Sequence, residues 1–250
     1  MSTADPPPGN LPGNRNDTRP LYARVRELLI ERIRSGAWRP GQLIPNEFEI
    51  AAQFGVSQGT ARKAIDSLAT DQLLLRRQGR GTFVVEHTPA NVLFRFFSIY
   101  TDEGEQILPA GEDGKPQSGQ ADPEEARALG LGAGDPVIRI ERVRRRDDTP
   151  FVVETISLPA VLFPGLAERA AVPNTLYDLF QRDYGILVMR ADERVTAVAA
   201  VETDVRALGC ALHAPLLRIH RIAYGLNDQP VELRISNCQL ERAHYFSRLK

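Results

Sequence analysis

Cysteine is scarce in this 250-residue sequence: only Cys210 and Cys238 occur, and they form no CxxC pair. That excludes a disulfide framework and a cysteine-rich structural zinc site, and it fits a reducing compartment with both thiols buried. Long apolar runs are missing as well. Hydrophobic residues make up 42% and charged residues 25% of the chain, and no stretch approaches the roughly 18 residues a membrane span needs. The opening MSTADPPPGNLPGNRNDTRP lacks the basic-then-apolar order of an export signal. Residues 1–18 are therefore expected to be a disordered tail and the protein cytoplasmic, with no membrane partner. The histidines, His87, His213, His220 and His244, have no metal-ligand spacing, and neither a nucleophile elbow nor a phosphate loop is found. No metal, no cofactor and no catalytic residue is expected.

The length suits two domains, and the charge is divided unevenly between them. Net charge is −1, yet residues 19–87 hold eleven Arg and Lys against seven Asp and Glu, a surplus of four, so the rest carries −5. A local positive surplus is what a nucleic-acid module shows, although one this small is also common on a solvated face. The positions decide.

Apolar residues recur at Leu21, Val25, Leu28, Leu29 and Ile33, the period of a helix with one buried face, and Ser35-Gly36 ends it. Asn46, with Glu49 three residues later, marks the start of a second helix. Phe54-Gly55-Val56-Ser57 supplies a glycine stop and then a serine cap for a third. Two helices joined by a tight turn make a helix-turn-helix candidate. In the third helix Ala61, Ala64, Ile65 and Leu68 form one stripe, leaving Gly59, Arg62, Lys63 and Asp66 outward. Gln58, Thr60 and Arg62 are able to read base edges, and Arg and Lys suit phosphates. Taken alone, this is an exposed helix with routine charges. Directly after it, however, residues 73–77 and 82–85 read as two strands joined by Gln78-Gly79-Arg80-Gly81. That is a wing whose Arg80 tip reaches a minor groove or a phosphate, with glycines permitting the sharp turn. Helix-helix-helix-wing in order is much more specific than any one part.

These residues, PGQLIPNEFEIAAQFGVSQGTARKAIDSLATDQLLLRRQGRGTFV, resemble the winged-helix domain of GntR-type bacterial transcription regulators over residues 18–85. The resemblance implies an operator-binding surface made of Asn46, Glu47, Ser57, Gln58, Gly59, Thr60, Arg62 and Lys63, together with Arg77, Gly79, Arg80 and Thr82 of the wing. Phe48 and Gln58 stand where the family usually has arginine. Glutamine prefers adenine and arginine guanine, so an altered operator is expected rather than lost binding.

Residues 88–91, with Pro89 inside, read as a linker between a winged domain over 19–87 and a second domain over 92–250. Beyond it short strands alternate with turns, few stretches are helical, and residues 101–123 read as an exposed, loop-rich excursion. Within this part ARALGLGAGDPVIRIERVRRRDDTPFVVE echoes VRALGCALHAPLLRIHRIAYGLNDQPVEL. Each copy offers helix, strand, turn and strand, and two copies are expected to pair into one sheet about a pseudo-twofold. The expected class is α+β with a central antiparallel sheet. Arg142 and Arg144 point to one side of a strand and Glu154 returns nearby, a set suited to an acidic small molecule. On the residues alone, a surface charge ladder across the hairpin is the expected arrangement.

PVIRIERVRRRDDTPFVVETISLPA, FPGL, NTLYDLF, RADERVTAV and APLLRIHRIAYGLNDQPVEL are similar to the UTRA effector-sensing domain of the HutC-type branch of GntR regulators. Its fold resembles chorismate lyase. The resemblance implies an effector pocket with Arg142, Arg144, Glu154 and Glu232, and Phe94 to Ser98 nearby. Cys238 stands where many relatives carry tyrosine. The expected mechanism is a ligand-gated repressor or activator, with repression relieved by ligand favoured. A homodimer is expected on a palindromic double-stranded DNA operator, controlled by a small-molecule effector whose signal passes through the linker, since nothing else visibly joins the two modules. A chorismate-lyase-like enzyme and a ligand-free DNA-binding dimer are the alternatives.

Overall fold

The computed structural model describes residues 18–71, 73–86, 97–108, 110–111 and 114–247. The expected linker 88–91, and the expected tail apart from Thr18, lie outside the described residues. The chain forms two compact units, Met1–Glu86 and His87–Lys250.

In the first unit α1 spans Leu21–Arg34, α2 Glu47–Phe54 and α3 Gln58–Thr70. Val25 and Leu29 of α1, Ile50, Ala51 and Phe54 of α2, and Ala61, Ala64, Ile65 and Leu68 of α3 are all buried, with α1 and α2 each packed against α3. Leu21, expected on the buried stripe, is half exposed instead, at the first helical position. Asn46 and Glu49 close a reciprocal capping box, and Gly55 adopts φ +64 at the end of α2, so the turn into α3 is tight. Two short strands follow, β1 Leu74–Arg77 and β2 Gly81–Val84. Gly81, expected in the turn, belongs to β2 opposite Arg77, while Leu73 precedes the hairpin as a buried core residue. Backbone hydrogen bonds from Gly41 to Val84, from Val84 to Gln42 and from Ile44 to Thr82 lay the preceding segment along β2, which braces the wing.

In the second unit the strands are β3 Ile99–Thr101, β4 Ala110–Gly111, β5 Pro116–Gln120, β6 Pro136–Arg146, β7 Thr149–Pro159, β8 Arg190–Ala199, β9 Pro215–Tyr224, β10 Pro230–Cys238 and β11 Ala243–Tyr245. Its helices are α4 Pro123–Leu129, α5 Leu176–Tyr184 and α6 Glu202–Leu208. Seven strands form one antiparallel sheet in the order β4-β6-β7-β10-β9-β8, with β5 also on β6; β11 and β3 pair separately. The strands are longer than expected, with eleven residues each in β6 and β7. The excursion is only partly loop, because β4 and β5 form one edge of the sheet and Ile107 and Ala121 are buried.

The repeated unit gains a leading strand: β5-α4-β6-β7 corresponds to β8-α6-β9-β10. The two hairpins meet along β7 and β10, where Thr155 pairs with its own counterpart Ile235 and so marks the pseudo-twofold. One face of the sheet is covered at one end by α5 and the preceding loop through Phe163, Leu166, Tyr177 and Phe180. At its other end Ile99, Phe151, Val152, Ile219 and Cys238 pack under β3 and β11. The opposite face carries α4, through Leu129 on Val137 and Leu233, and α6, through Leu208 on Leu216.

Candidate functional site

Alongside α2, helix α3 and the wing carry Arg62, Lys63, Arg76, Arg77 and Arg80. Glu47 joins two of them: its carboxylate accepts from Arg62 Nε at 2.8 Å and from Arg76 Nη2 at 3.1 Å, and Arg76 also bonds Asp66 at 2.5 Å. Partial burial opposes ionisation, but the two guanidiniums hold the Glu47 carboxyl below the usual carboxylate range. One acidic side chain thereby fixes α2, α3 and β1 together and orients Arg62, which stays exposed. Asn46 Oδ1 accepts from the amides of Phe48 and Glu49 at 2.9 and 3.1 Å, so its side chain is spent on the cap. Ser57 Oγ accepts from the Thr60 amide at 3.2 Å and lies 2.9 Å from the Thr60 hydroxyl. Lys63 Nζ stands 4.1 Å over the Tyr22 ring and the Arg77 guanidinium 5.0 Å over Phe83. Gln58 is half-buried and Gly59 exposed on the same helix; Thr82 is half-buried on β2. At the tip Gly79 adopts φ +69, and Arg80 extends into solvent with no side-chain partner among the described residues. Phe48 is 68% exposed beside Glu47, a large apolar ring with nothing of its own fold to cover it.

The charged residues of the second unit do not form a surface ladder; the burial of the sheet's covered face overturns that expectation. Arg142, Arg144, Glu154, Arg234 and Glu232 lie on one face of β6, β7 and β10, each less than a tenth exposed. Their arrangement follows from the pleat: alternate residues of adjacent strands share a face, and Arg142 pairs directly with Glu154. Glu154 Oε1 accepts from Arg142 and, at 2.9 Å, from Arg144 Nε, while Arg234 Nη1 approaches Oε2 at 3.5 Å. Arg234 grips Glu232 bidentately at 3.0 and 2.8 Å, and Tyr177 Oη donates to Glu232 at 2.8 Å. Arg221 bonds Glu193 Oε1 at 2.6 Å, and Tyr245 donates to the same carboxylate.

Burial alone would raise the Glu154 carboxyl, but Arg144, Arg142 and Arg234 carry it well below the usual range. Burial pulls the Arg144 guanidinium down to about 10 against the pull of Glu154, and lowers Arg142 likewise. Burial also pushes the Cys238 thiol up. Four arginines thus face three glutamates, leaving one positive charge over. Arg142 donates through Nη1 to the carbonyls of Pro173 and Asn174 at 3.3 Å, yet its Nη2 is buried without a partner.

A small pocket of about 20 Å³ opens beside this cluster, lined by Phe97, Ser98, Ile99, Glu154, Arg221, Arg234, Ser236 and Cys238 among others. Of the four residues named for an effector, only Glu154 lines it. Arg142, Arg144 and Glu232 stand behind. Arg221, Arg234 and Ser236 went unnamed as contacts, although the echo sets Arg234 opposite Glu154 and the two-residue alternation aligns all three. Phe97 and Ser98 reach the cavity, whereas Phe94 lies outside the described residues. A larger groove of about 740 Å³ lies on the opposite face between α4 and α6, lined by Glu125, Arg139, Ser157, Asp204 and Arg218. Arg142, whose Nη2 is the one buried polar side-chain atom without a partner among the described residues, is among the residues lining this groove; the small pocket is distinguished instead by two buried guanidiniums, Arg221 and Arg234, set against Glu154 at its wall.

No described helix is long and apolar enough to cross a membrane, and no group of three or more His, Cys, Asp or Glu among the described residues could hold a metal. Residues 21–84 match the model of the bacterial regulatory proteins of the gntR family, and residues 116–244 match the UTRA domain. The chain is 32% identical to the probable fructoselysine utilization operon transcriptional repressor of Escherichia coli K12, over 89% of this chain and 91% of the relative. It is 30% identical to the histidine utilization repressor of Pseudomonas aeruginosa, over 81% of this chain and 80% of the relative. Among solved structures, the ligand-binding domain of a GntR-family regulator from Bordetella bronchiseptica superposes with a TM-score of 0.56 at 32% identity, covering 62% of this chain and 98% of that one. The relatives are transcriptional repressors and not enzymes, and a helix-turn-helix unit for DNA is joined here to an effector-type domain. The chain belongs to the GntR family of bacterial transcription regulators, in the HutC-type branch that carries a UTRA domain.

Proposed function

We propose that this regulator is a cytoplasmic homodimeric repressor whose grip on a palindromic double-stranded DNA operator is released by a small acidic metabolite. Ser57, Gln58, Gly59, Thr60, Arg62 and Lys63 face the major groove, with the wing residues Arg77, Gly79, Arg80 and Thr82 alongside the backbone or minor groove. Glu47 orients Arg62, and Asn46 holds the start of α2. Both relatives named above are repressors of utilization systems, which supports repression relieved by ligand.

The observation that supports the effector class is the positive charge the cluster keeps over, with Arg221 and Arg234 at the wall of the small pocket. A buried guanidinium charge without a counter-charge is costly, and an anion in the pocket supplies one. The cavity of about 20 Å³ holds no more than a water molecule. Effector entry therefore displaces its lid, Phe97, Ser98 and Ile99. That lid begins β3, the first strand after residues 87–96 leave the DNA-binding unit, so ligand entry acts on the connection between the two units.

The first experiment is a thermal-shift screen of carboxylic acids and sugar phosphates, followed by operator retention with and without each hit. Arg144→Ala is expected to abolish the ligand-induced rise in melting temperature and the release from DNA, while operator binding without ligand stays within about twofold. Simultaneous loss of operator binding and ligand response in a folded variant contradicts the assignment. If no acid raises the melting temperature of the wild type, the small cavity belongs to a ligand-free dimeriser.

A further inference from the structure

The two edges of the seven-stranded sheet are finished differently. On one side β6 is met by two short strands, β4 with two residues and β5 with five, and β5 carries Pro116 and Gly119. Short strands, proline and interruption are the devices that stop an edge from pairing with another chain. The other edge has none of them. Strand β8 runs ten residues, Arg190–Ala199, pairs with β9 along its whole length without a bulge, and contains neither proline nor glycine. Among the described residues no strand lies outside it. Arg194, Val195, Thr196 and Ala197 are exposed in succession, so both faces of the strand are bare at its middle. A row of free backbone amides and carbonyls along such a strand is a template for another strand.

We propose that β8 pairs antiparallel with β8 of a second copy, so that two sheets run into one across a twofold axis at Val195. This rests on the homodimer of the proposed function and names its seam. A twofold perpendicular to a sheet sets one residue opposite itself, which restricts the choice. At Asp192, Glu193 or Arg194 the axis would oppose like charges, a destabilising arrangement. Val195 is the first neutral position beyond them, and an axis there pairs residues 191–199, nearly the full strand, whereas one at Ala191 would pair only its start.

The charges agree with it. Arg190 is held by Asp192 and Asp228, and Glu193 by Arg221 and Tyr245. Arg194 has no ion-pair partner among the described residues. With the axis at Val195, each Arg194 lies opposite Thr196 of the second copy, whose hydroxyl accepts from the guanidinium. Val195, 39% exposed in the single chain, meets its twin. Strand β8 also carries Glu193, which holds Arg221 at the wall of the small pocket, so the seam reaches the proposed effector site through that ion pair.

The test uses the full chain and light scattering at micromolar concentration. The wild type is expected to be dimeric, and Val195→Lys and Val195→Glu each monomeric with unchanged circular dichroism. Mixing the two variants one to one restores the dimer, because lysine then faces glutamate. A Val195→Lys protein that stays dimeric places the seam elsewhere and overturns the proposal while leaving the dimeric regulator standing. Failure of the mixture to restore the dimer overturns the axis. A monomeric wild type that still binds its operator removes the dimeric reading itself.

Discussion

Glu125 and Asp204 occupy the same place in the two halves of the repeat, and each ties a short helix to the sheet. Both are third in their helices and accept from the capping backbone, Asp122 N at 2.9 Å and Val201 N at 3.0 Å. Glu125 then takes Arg139 Nε at 2.6 Å and Ser157 Oγ at 2.7 Å. Asp204 takes Asn237 Nδ2 at 2.8 Å, whose Oδ1 accepts from Arg218 Nε at 2.9 Å. Ser157 and Asn237 are counterparts, as are Arg139 and Arg218, so one anchoring arrangement survives with different residues. The consequence is measurable in acid. Burial would raise the Glu125 carboxyl, but the bonds from Arg139, Ser157 and Asp122 lower it from 4.5 to about 2. A carboxyl lowered on folding contributes stability that is complete above its unfolded value and is lost as pH falls through its folded value. Glu125→Gln is therefore expected to cost on the order of 3 kcal/mol at pH 7. That difference between variant and wild type shrinks as pH drops from about 4.5 towards about 2, which chemical denaturation at a series of pH values reads directly. A difference that stays constant over that range rules the anchor out as the source.

The elements were legible in the sequence where their signals are local. The Asn46 and Ser57 caps, the Gly55 stop and the glycine-flanked wing are each set by residues within a few positions, and α1, α2, α3, β1 and β2 follow them closely. Helix α5 was passed over although Leu176, Tyr177, Leu179 and Phe180 give the helical period. Its short length among strand-like segments hid it. The lengths of β6 and β7, the leading strands of the repeat and the burial of Arg142 and Glu154 depend on pairing and coverage across more than a hundred residues, which no local pattern carries. The wing gives this scale its prediction. Arg80 stands at the tip of a hairpin braced by the 41–44 segment, and its side chain has no partner among the described residues. Arg80→Ala leaves folding unchanged. If the tip meets phosphate, operator and unrelated duplex lose affinity alike, and the slope of log affinity against log salt falls by about one. If it enters the minor groove, operator affinity falls more than non-specific affinity. A titration on both duplexes at several salt concentrations separates these, and no change on either duplex excludes the wing tip from the interface.

At the scale of the molecule, charge and symmetry make the last prediction. Residues 19–87 carry a surplus of four positive charges, and the rest of the chain carries −5. Attraction to DNA is therefore confined to one end of each chain, while the more acidic remainder stays off the duplex. A single winged unit with so small a surplus binds weakly at physiological salt. Strong binding comes from holding two such units on one duplex, so that the second half-site is reached without a new encounter. If two chains joined through β8 present both recognition helices to one face of DNA, the half-sites must have centres about 10 bp, or a multiple, apart. Five base pairs inserted between the half-sites turn one of them to the far side of the duplex, and affinity is expected to fall to that of a single half-site. Ten base pairs restore the facing but lengthen the span, so recovery measures how far the two units can spread. Val195→Lys supplies the control: as a monomer it should bind the native and the five-base-pair operators equally. Equal binding of the wild-type dimer to both operators would mean that its two DNA-binding units act independently, and the effector would then need a route to DNA other than their spacing.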